Sequence, residues 1–382
     1  MMKRVGVIGG GQLAWMMAGA ATKLGIELVV QTPSRDDPAV SIAADTIVAA
    51  IDDATATAQL AAQCDVITFE NEFVNLEALS LLENQGICFR PSLESLKPLL
   101  DKYHQRRYLQ DLGLPVPPFA ALAPHSNPTA IAEQPDSIQP TFPIVLKTRR
   151  HGYDGQGTFI IQTASELDSL LPTLGNQALL QEAFVPFERE LAAIAARSVT
   201  GEVIVYPIVE TQQENQVCRR VFAPAMVSPA IATVVKEIAN TLLTSLQVVG
   251  VFGIELFLTA DGTVLVNEIA PRTHNSGHFT LDACETSQFE QQLRAVAGLP
   301  LGDPTMRSPA AVMVNLLGYE HSQHDYQEKR QRIAAIPNAH VHWYNKVEAR
   351  PGRKLGHVTV LLEATEQGAA VAAAIESIWY SR

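Results

Sequence analysis

Residues 250–270 constrain this chain more tightly than any other stretch. Two apolar runs, Gly253 to Leu258 and Thr263 to Ile269, are joined across Asp261-Gly262. An Asp-Gly pair between such runs is a favoured two-residue hairpin turn. Pairing Ala260 with Thr263 and stepping outward sets Glu255 opposite Glu268. Directly opposed residues have Cβ atoms about 4.5–5.5 Å apart, and like charges there repel. Two carboxylates flanked by Ile254, Val266 and Ile269 therefore call for a cation between them. With no His or Cys next to either, they suit Mg²⁺, or Mn²⁺ in its place, with nucleotide phosphates completing the coordination. The other reading is a solvent-facing pair at a sheet edge. Asn267 adds a further polar group to an otherwise apolar strand.

Upstream, short apolar runs alternate with helical patterns. Val5 to Ile8, Glu27 to Val30 and Asp65 to Phe69 read as strands, and Leu13 to Leu24 as a helix. That rhythm implies a parallel sheet with helices on both faces. The pattern stops at Leu114-Pro115-Val116-Pro117-Pro118, and prolines continue through Pro124, Pro128, Pro135 and Pro140 as a hinge. Ile144 to Leu146, Phe159 to Ile161, a helix from Ser165 to Leu171 and a strand from Ala178 to Phe184 then describe a small α+β unit. A third region reads mostly as strands: Leu191 to Ala196, Val203 to Val209 and the hairpin. After Pro300, Val312 to Leu317 and Val358 to Leu362 are further strands.

With 382 residues, two or three domains are expected. A net charge of −12 argues against a general nucleic-acid binder, which needs a basic excess. Four separated cysteines with no CxxC pair read as reduced thiols of a cytoplasmic protein. Met1-Met2-Lys3-Arg4 and the small residues near Ala18 imitate a secretory leader, but Gly9-Gly10-Gly11-Gln12 breaks the apolar run. No stretch is apolar for long enough to predict a membrane span.

Gly9 to Ala14 fits a GxGxxA turn between strand and helix, as in nicotinamide-dependent dehydrogenases. Those enzymes need an acid at the end of the second strand, where Gln31-Thr32-Pro33 stand here. Lys147 ends a strand and precedes Gly152-Tyr153-Asp154-Gly155-Gln156-Gly157, a glycine loop able to close over a triphosphate or to serve as a plain hairpin. His274 and His278, four apart, raise zinc on one helix face, but Asn275-Ser276-Gly277 between them disfavour a helix. An anion pocket around Arg272 is the better reading. Phe69-Glu70-Asn71-Glu72-Phe73 follows a strand end where open α/β sheets bind ligands. Tyr344 to His357 carries cations around a Pro-Gly turn that suit a phosphomonoester, or form a solvated basic loop.

Taken together, the glycine loop, Asn267-Glu268 through His278, and Arg350-Pro351-Gly352-Arg353-Lys354 resemble the ATP-grasp superfamily. Within it they resemble the 5-(carboxyamino)imidazole ribonucleotide synthases, nearly end to end. The resemblance implies an α/β ATP-grasp fold: a Rossmann-like pre-ATP-grasp domain (1–105), an α+β lid (106–185), a main subdomain with the metal site (186–300) and a small β-rich C-terminal subdomain (301–382). It also implies ATP- and bicarbonate-dependent carboxylation of 5-aminoimidazole ribonucleotide by a homodimer. Lys102 and Lys147 then contact ATP phosphates, Glu182 and Val185 the adenine, and Glu190 the ribose. Glu255 and Glu268 hold the metal. Arg272, His274 and Asn275 handle bicarbonate or its phosphorylated form. Gln12, Glu72, Tyr153, Asp154, Lys346 and Arg353 hold the ribonucleotide, with Glu72 and Asp154 also candidates for proton transfer.

The chain departs from the family at Ala14-Trp15, commonly Gly-Arg, and at Glu210-Thr211-Gln212-Gln213, where a histidine is usual and Gln213 offers a neutral hydrogen bond. Two rival readings share some of these features: a formate-dependent glycinamide ribonucleotide transformylase, and a non-catalytic nucleotide-binding regulator.

Overall fold

A computed structural model describes residues 3–122, 141–150, 152 and 157–381. The proline-rich stretch from Pro124 to Pro140 and the loop residues Tyr153 and Asp154 lie outside these residues. Three sheets carry these described residues. The first is parallel, in the order β3-β2-β1-β4, built from β1 (Lys3–Ile8), β2 (Ile26–Thr32), β3 (Asp45–Val48) and β4 (Val66–Phe69). Strand order reverses between β1 and β4, so the loops after these two strands flank the crevice where open α/β sheets bind ligands. The expected helix from Leu13 to Leu24 is two helices, Gln12–Trp15 and Ala18–Leu24, because the chain turns at Met16-Met17 to bury both methionines.

The second sheet is antiparallel, in the order β5-β8-β6-β7: β5 (Phe119–Leu122), β6 (Ile144–Thr148), β7 (Thr158–Ile161) and β8 (Leu179–Ala183). The helix Ala164–Leu174, capped by Thr163, covers one face and buries Leu167.

The third sheet has nine strands: β9 (Phe187–Arg197), β10 (Val203–Val205), β11 (Val209–Glu214), β12 (Val217–Ala223), β13 (Gly250–Thr259), β14 (Val264–Ala270), β15 (Ala310–Leu317), β16 (Ala339–Trp343) and β17 (Lys354–Leu362). Its order is β14-β13-β9-β11-β12-β15-β17-β16, with β10 beside β9. The C-terminal strands therefore continue the central sheet. The run Val203 to Val209, expected as one strand, breaks at Tyr206, which is fully buried and donates its hydroxyl hydrogen to the carbonyl of Thr286.

The expectation of mostly strands in this region misses a 17-residue helix, Pro229–Ser245. Ser228 caps it by accepting from the Ile231 amide, and Pro229 sits at the first position. Val235, Ile238, Ala239, Leu242 and Leu243 form its buried stripe against the central sheet. A second helix, Gln288–Val296, wedges between sheets. Phe289, Leu293 and Val296 pack with Val5, Val7 and Leu28, while Gln292 links the Thr68 hydroxyl to the Val251 amide. Among the described residues no helix is long and apolar enough to cross a membrane.

Candidate active site

Glu255 and Glu268 do face each other, by a route the sequence did not disclose. The turn has three residues rather than two, with the Thr259 amide bonded to the Thr263 carbonyl and Gly262 at φ +84°. Leu258 therefore pairs with Val264 and Leu256 with Val266, one step away from the expected register. An extra residue at Asn267 then restores it. This β-bulge also re-aims side chains. Adjacent residues on a regular strand point to opposite faces, yet Asn267 and Glu268 both reach the same polar cluster. The Lys147 ammonium donates to Asn267 Oδ1 (3.0 Å), Asn267 Nδ2 lies 3.4 Å from Glu255 Oε2, and Lys102 pairs with Glu268.

The two lysines arrive from different elements. Lys102 opens the helix Lys102–Asp111, whose N-terminus is capped by Asp101 through the amides of Tyr103 and His104. Lys147 lies on β6 and pairs with Glu182 of β8 at 2.7 Å. Arg106, from the same helix as Lys102, also pairs with Glu182, and all three side chains are buried. Burial opposes the charge on Glu182, but Arg106 and Lys147 outweigh it and hold its pKa down to about 2. Burial depresses the pKa of Lys147, opposed by Glu182. Arg106 was not a sequence candidate.

His274 joins the cluster at Glu255, its Nε2 3.3 Å from Glu255 Oε1 and its Nδ1 2.8 Å from the Ser276 hydroxyl. Burial raises the pKa of Glu255, but His274, Lys102 and Lys147 hold it below the ordinary value. Gln288 clasps the His274 backbone, accepting from its amide and donating to its carbonyl. Gly253 makes room for the ring, since a Cβ there would lie 2.5 Å from His274 Cβ. His278 faces elsewhere: fully buried, it packs on Phe289 and His357, with Nδ1 3.1 Å from Gln288 Nε2. The two rings thus meet different groups, although Gln288 touches both residues. Among the described residues no three His, Cys, Asp or Glu side chains converge as a metal cage. The facing carboxylates and the Asn267 amide oxygen instead make a hard oxygen donor set that fits Mg²⁺ completed by phosphate oxygens.

The first sheet closes the cleft. Arg272 forks onto Glu72, with Nη2 3.1 Å from Oε1 and Nε on Oε2. Burial opposes the charge of Glu72, yet this guanidinium holds its pKa down. The glycine turn after β1 receives Glu70. A Cβ on Gly9 or Gly11 would lie 2.5 Å from a Glu70 carboxylate oxygen, and the Leu13 amide donates to Oε1. An internal carboxylate therefore occupies the close approach that a dinucleotide's phosphates would use. Burial pushes the Glu70 pKa up. Glu70 lies in the Phe69–Phe73 segment that the sequence points to, two residues before the candidate Glu72.

Lys346 donates to Gln12 Oε1 at 2.7 Å, joining the C-terminal segment to the first loop. Arg353 folds back on the Glu348 carbonyl, and Asn275 exchanges amide hydrogen bonds with Asn315 of β15. Val185, Glu190 and Gln213 line the same cleft. Burial, then repulsion from Glu255, pushes the Glu190 pKa up to about 7. Apart from His278, every sequence candidate within the described residues lines one cleft of ≈ 1490 Å³.

Comparison with known proteins gives a consistent result. An ATP-grasp domain model matches residues 107–289, a ribonucleotide synthetase preATP-grasp domain model residues 2–98, and a phosphoribosylaminoimidazole carboxylase C-terminal domain model residues 311–370. The chain is 53% identical to the N5-carboxyaminoimidazole ribonucleotide synthase of Synechococcus elongatus, covering 99% of this chain and 96% of that one. It is 52% identical to the enzyme of the same name from Synechocystis sp., covering 98% of each. Among solved structures, the N5-carboxyaminoimidazole synthase of Aspergillus clavatus in complex with ADP and 5-aminoimidazole ribonucleotide superposes with a TM-score of 0.90 at 32% identity, covering 99% of this chain and 98% of that one.

Proposed function

This chain belongs to the N5-carboxyaminoimidazole ribonucleotide synthase family of ATP-grasp ligases, and from that premise we propose how its own residues carry the reaction. It consumes ATP and bicarbonate to convert 5-aminoimidazole ribonucleotide to its N-carboxy derivative in purine biosynthesis. The observation that carries the assignment is the continuity of the cleft: the lysine–carboxylate cluster and the Glu72–Arg272 and Gln12–Lys346 pairs share one volume.

Adenine lies by Val185 beside the buried Glu182, the ribose hydroxyls meet Glu190, Gln213 supplies a neutral hydrogen bond, and Lys102 and Lys147 take the phosphates. Glu255 and Glu268, with Asn267 beside them, are the residues that would hold Mg²⁺. When bound, that ion neutralises phosphate charge and shapes the triphosphate for in-line transfer. A bicarbonate oxygen, oriented by Arg272, His274 and Asn275, attacks the γ-phosphorus. The bond to the β,γ-bridging oxygen breaks, releasing ADP and leaving carboxyphosphate. Arg272 and the lysines stabilise the charge on the transferring group.

The ribonucleotide is held by Gln12, Tyr153, Lys346 and Arg353, the two cations serving its phosphate. Its exocyclic amine attacks the carboxyl carbon, phosphate departs, and the amine proton passes to Glu72, which Arg272 keeps ionised. Asp154 orients the amine. Excluding water protects the intermediate from hydrolysis. The protein acts in the cytoplasm as a homodimer, so sedimentation should give twice 41.4 kDa.

The test is ADP release with bicarbonate and Mg²⁺, with and without 5-aminoimidazole ribonucleotide. Specific stimulation by that compound is expected. Stimulation by glycinamide ribonucleotide with formate, or no turnover with either substrate, would contradict the assignment.

A further inference from the structure

β14 is the edge strand of the nine-stranded sheet, and it carries the bulge that places Asn267 and Glu268 on one face. Its outer edge is held at two points. The Val266 amide donates to the Pro115 carbonyl at 2.8 Å. Three residues on, the Gln105 side chain brackets Ile269, accepting from its amide (3.0 Å) and donating to its carbonyl (3.1 Å). Gln105 Nε2 also donates to the Leu99 carbonyl at 3.2 Å, and the side chain is 3% exposed.

The spacing is informative. Along a regular strand, backbone groups directed to the same edge recur at every second residue. Val266 and Ile269 are three apart, so both can face outward only when one extra residue lies between them. That residue is the bulge. The clamps at Pro115 and Gln105 are therefore satisfied together by the bulged strand and not by a regular one. Gln105 also sits one turn along the helix from Lys102, the cation paired with Glu268, and beside Arg106, which fixes Glu182 and through it Lys147.

We propose that Gln105 is a positioning residue for the metal carboxylates: its primary amide takes the place of a neighbouring strand at the open edge of β14 and locks the register in which Glu268 faces Glu255. This rests on the reading of those two glutamates as the metal site. The register without the bulge would turn Glu268 away from Glu255, so loss of the clamp should loosen the metal before it disturbs the ribonucleotide end of the cleft.

The test compares Gln105→Met, which keeps the volume and loses all three hydrogen bonds, with Gln105→Glu, which keeps one acceptor and loses both donated bonds. Leu109→Ala, a fully buried position on the same helix, is the control for helix stability. Mn²⁺ binding in the presence of ADP is followed by electron paramagnetic resonance, alongside kcat and the KM for 5-aminoimidazole ribonucleotide. Both Gln105 variants should weaken Mn²⁺ binding by about tenfold, with that KM unchanged. Leu109→Ala should lower the melting temperature and leave Mn²⁺ binding within about twofold of wild type. If Glu268→Gln weakens Mn²⁺ binding but the Gln105 variants do so no more than Leu109→Ala, the positioning role is refuted alone. If Glu268→Gln leaves Mn²⁺ binding intact, the metal assignment fails and this inference fails with it.

Discussion

Replacing Glu182 by Gln should be among the most damaging single changes outside the reacting groups. Glu182 is the shared counter-ion of Arg106 and Lys147, and its own side chain and that of Arg106 are each 3% exposed. Gln preserves shape but takes their shared counter-ion from two buried cations. Removing one partner of a buried pair costs about 3–5 kcal/mol. A second route gives a similar figure: a carboxyl moved from 4.5 to about 2 is worth about 3 kcal/mol at neutral pH. Because the folded-state pKa lies below the ordinary one, this stabilisation is complete above about pH 5 and is lost as the pH falls toward 2. Urea unfolding at pH 7.5 should therefore show a loss of about 3 kcal/mol for Glu182→Gln, and the gap should narrow below pH 4.5. Lys147 responds as well, since its ammonium is already disfavoured by burial and loses its main support. The KM for ATP should rise, more so at alkaline pH. A variant within about 1 kcal/mol of wild type at pH 7.5, with unaltered ATP KM, would refute the reasoning.

Three further changes probe other parts of the cleft. Glu190 titrates near 7 when folded, above its ordinary 4.5, so its ionisation opposes folding; that penalty is absent below pH 4.5 and complete above about 7. Glu190→Gln should consequently gain on the order of 1–3 kcal/mol over wild type at pH 8 and almost nothing at pH 4; equal melting shifts at the two pH values would contradict this. Arg272→Lys keeps the charge but loses the fork onto Glu72, and should lower kcat for ADP release by about a hundredfold with little change in the KM for ATP. Gly253→Ala should cost about 1–3 kcal/mol and displace His274 from Glu255, because the new Cβ would meet the ring; an unchanged melting temperature and kcat would show that His274 yields freely.

The polar pattern of the cleft was more legible than the way it is braced. Asp261-Gly262 and the flanking apolar runs led to the Glu255–Glu268 pairing, but only because a longer turn and a bulge at Asn267 offset one another. Period-two alternation carries no mark of either. The helix Pro229–Ser245 was readable from Ser228-Pro229 and its buried stripe, and was missed beside so many apolar runs. Gln105, Arg106, Gln288 and Gln292 could not be read locally. Each is a polar side chain of the kind that usually faces solvent, yet each is buried against a partner outside its own helix. Three of them use an amide side chain to satisfy a backbone amide, a role defined entirely by tertiary contact.

The central claim is that bicarbonate is activated by direct attack on the γ-phosphate of ATP within this cleft. Turnover with ¹⁸O-labelled bicarbonate and 5-aminoimidazole ribonucleotide, followed by mass analysis of the inorganic phosphate, tests it most directly. The mechanism predicts one ¹⁸O atom in each phosphate released, because the attacking oxygen stays on phosphorus when the carboxyl group is transferred. Phosphate carrying no label, alongside normal formation of the carboxylated product, would mean that ATP is cleaved by water and that the arrangement around Arg272 and His274 serves some other chemistry.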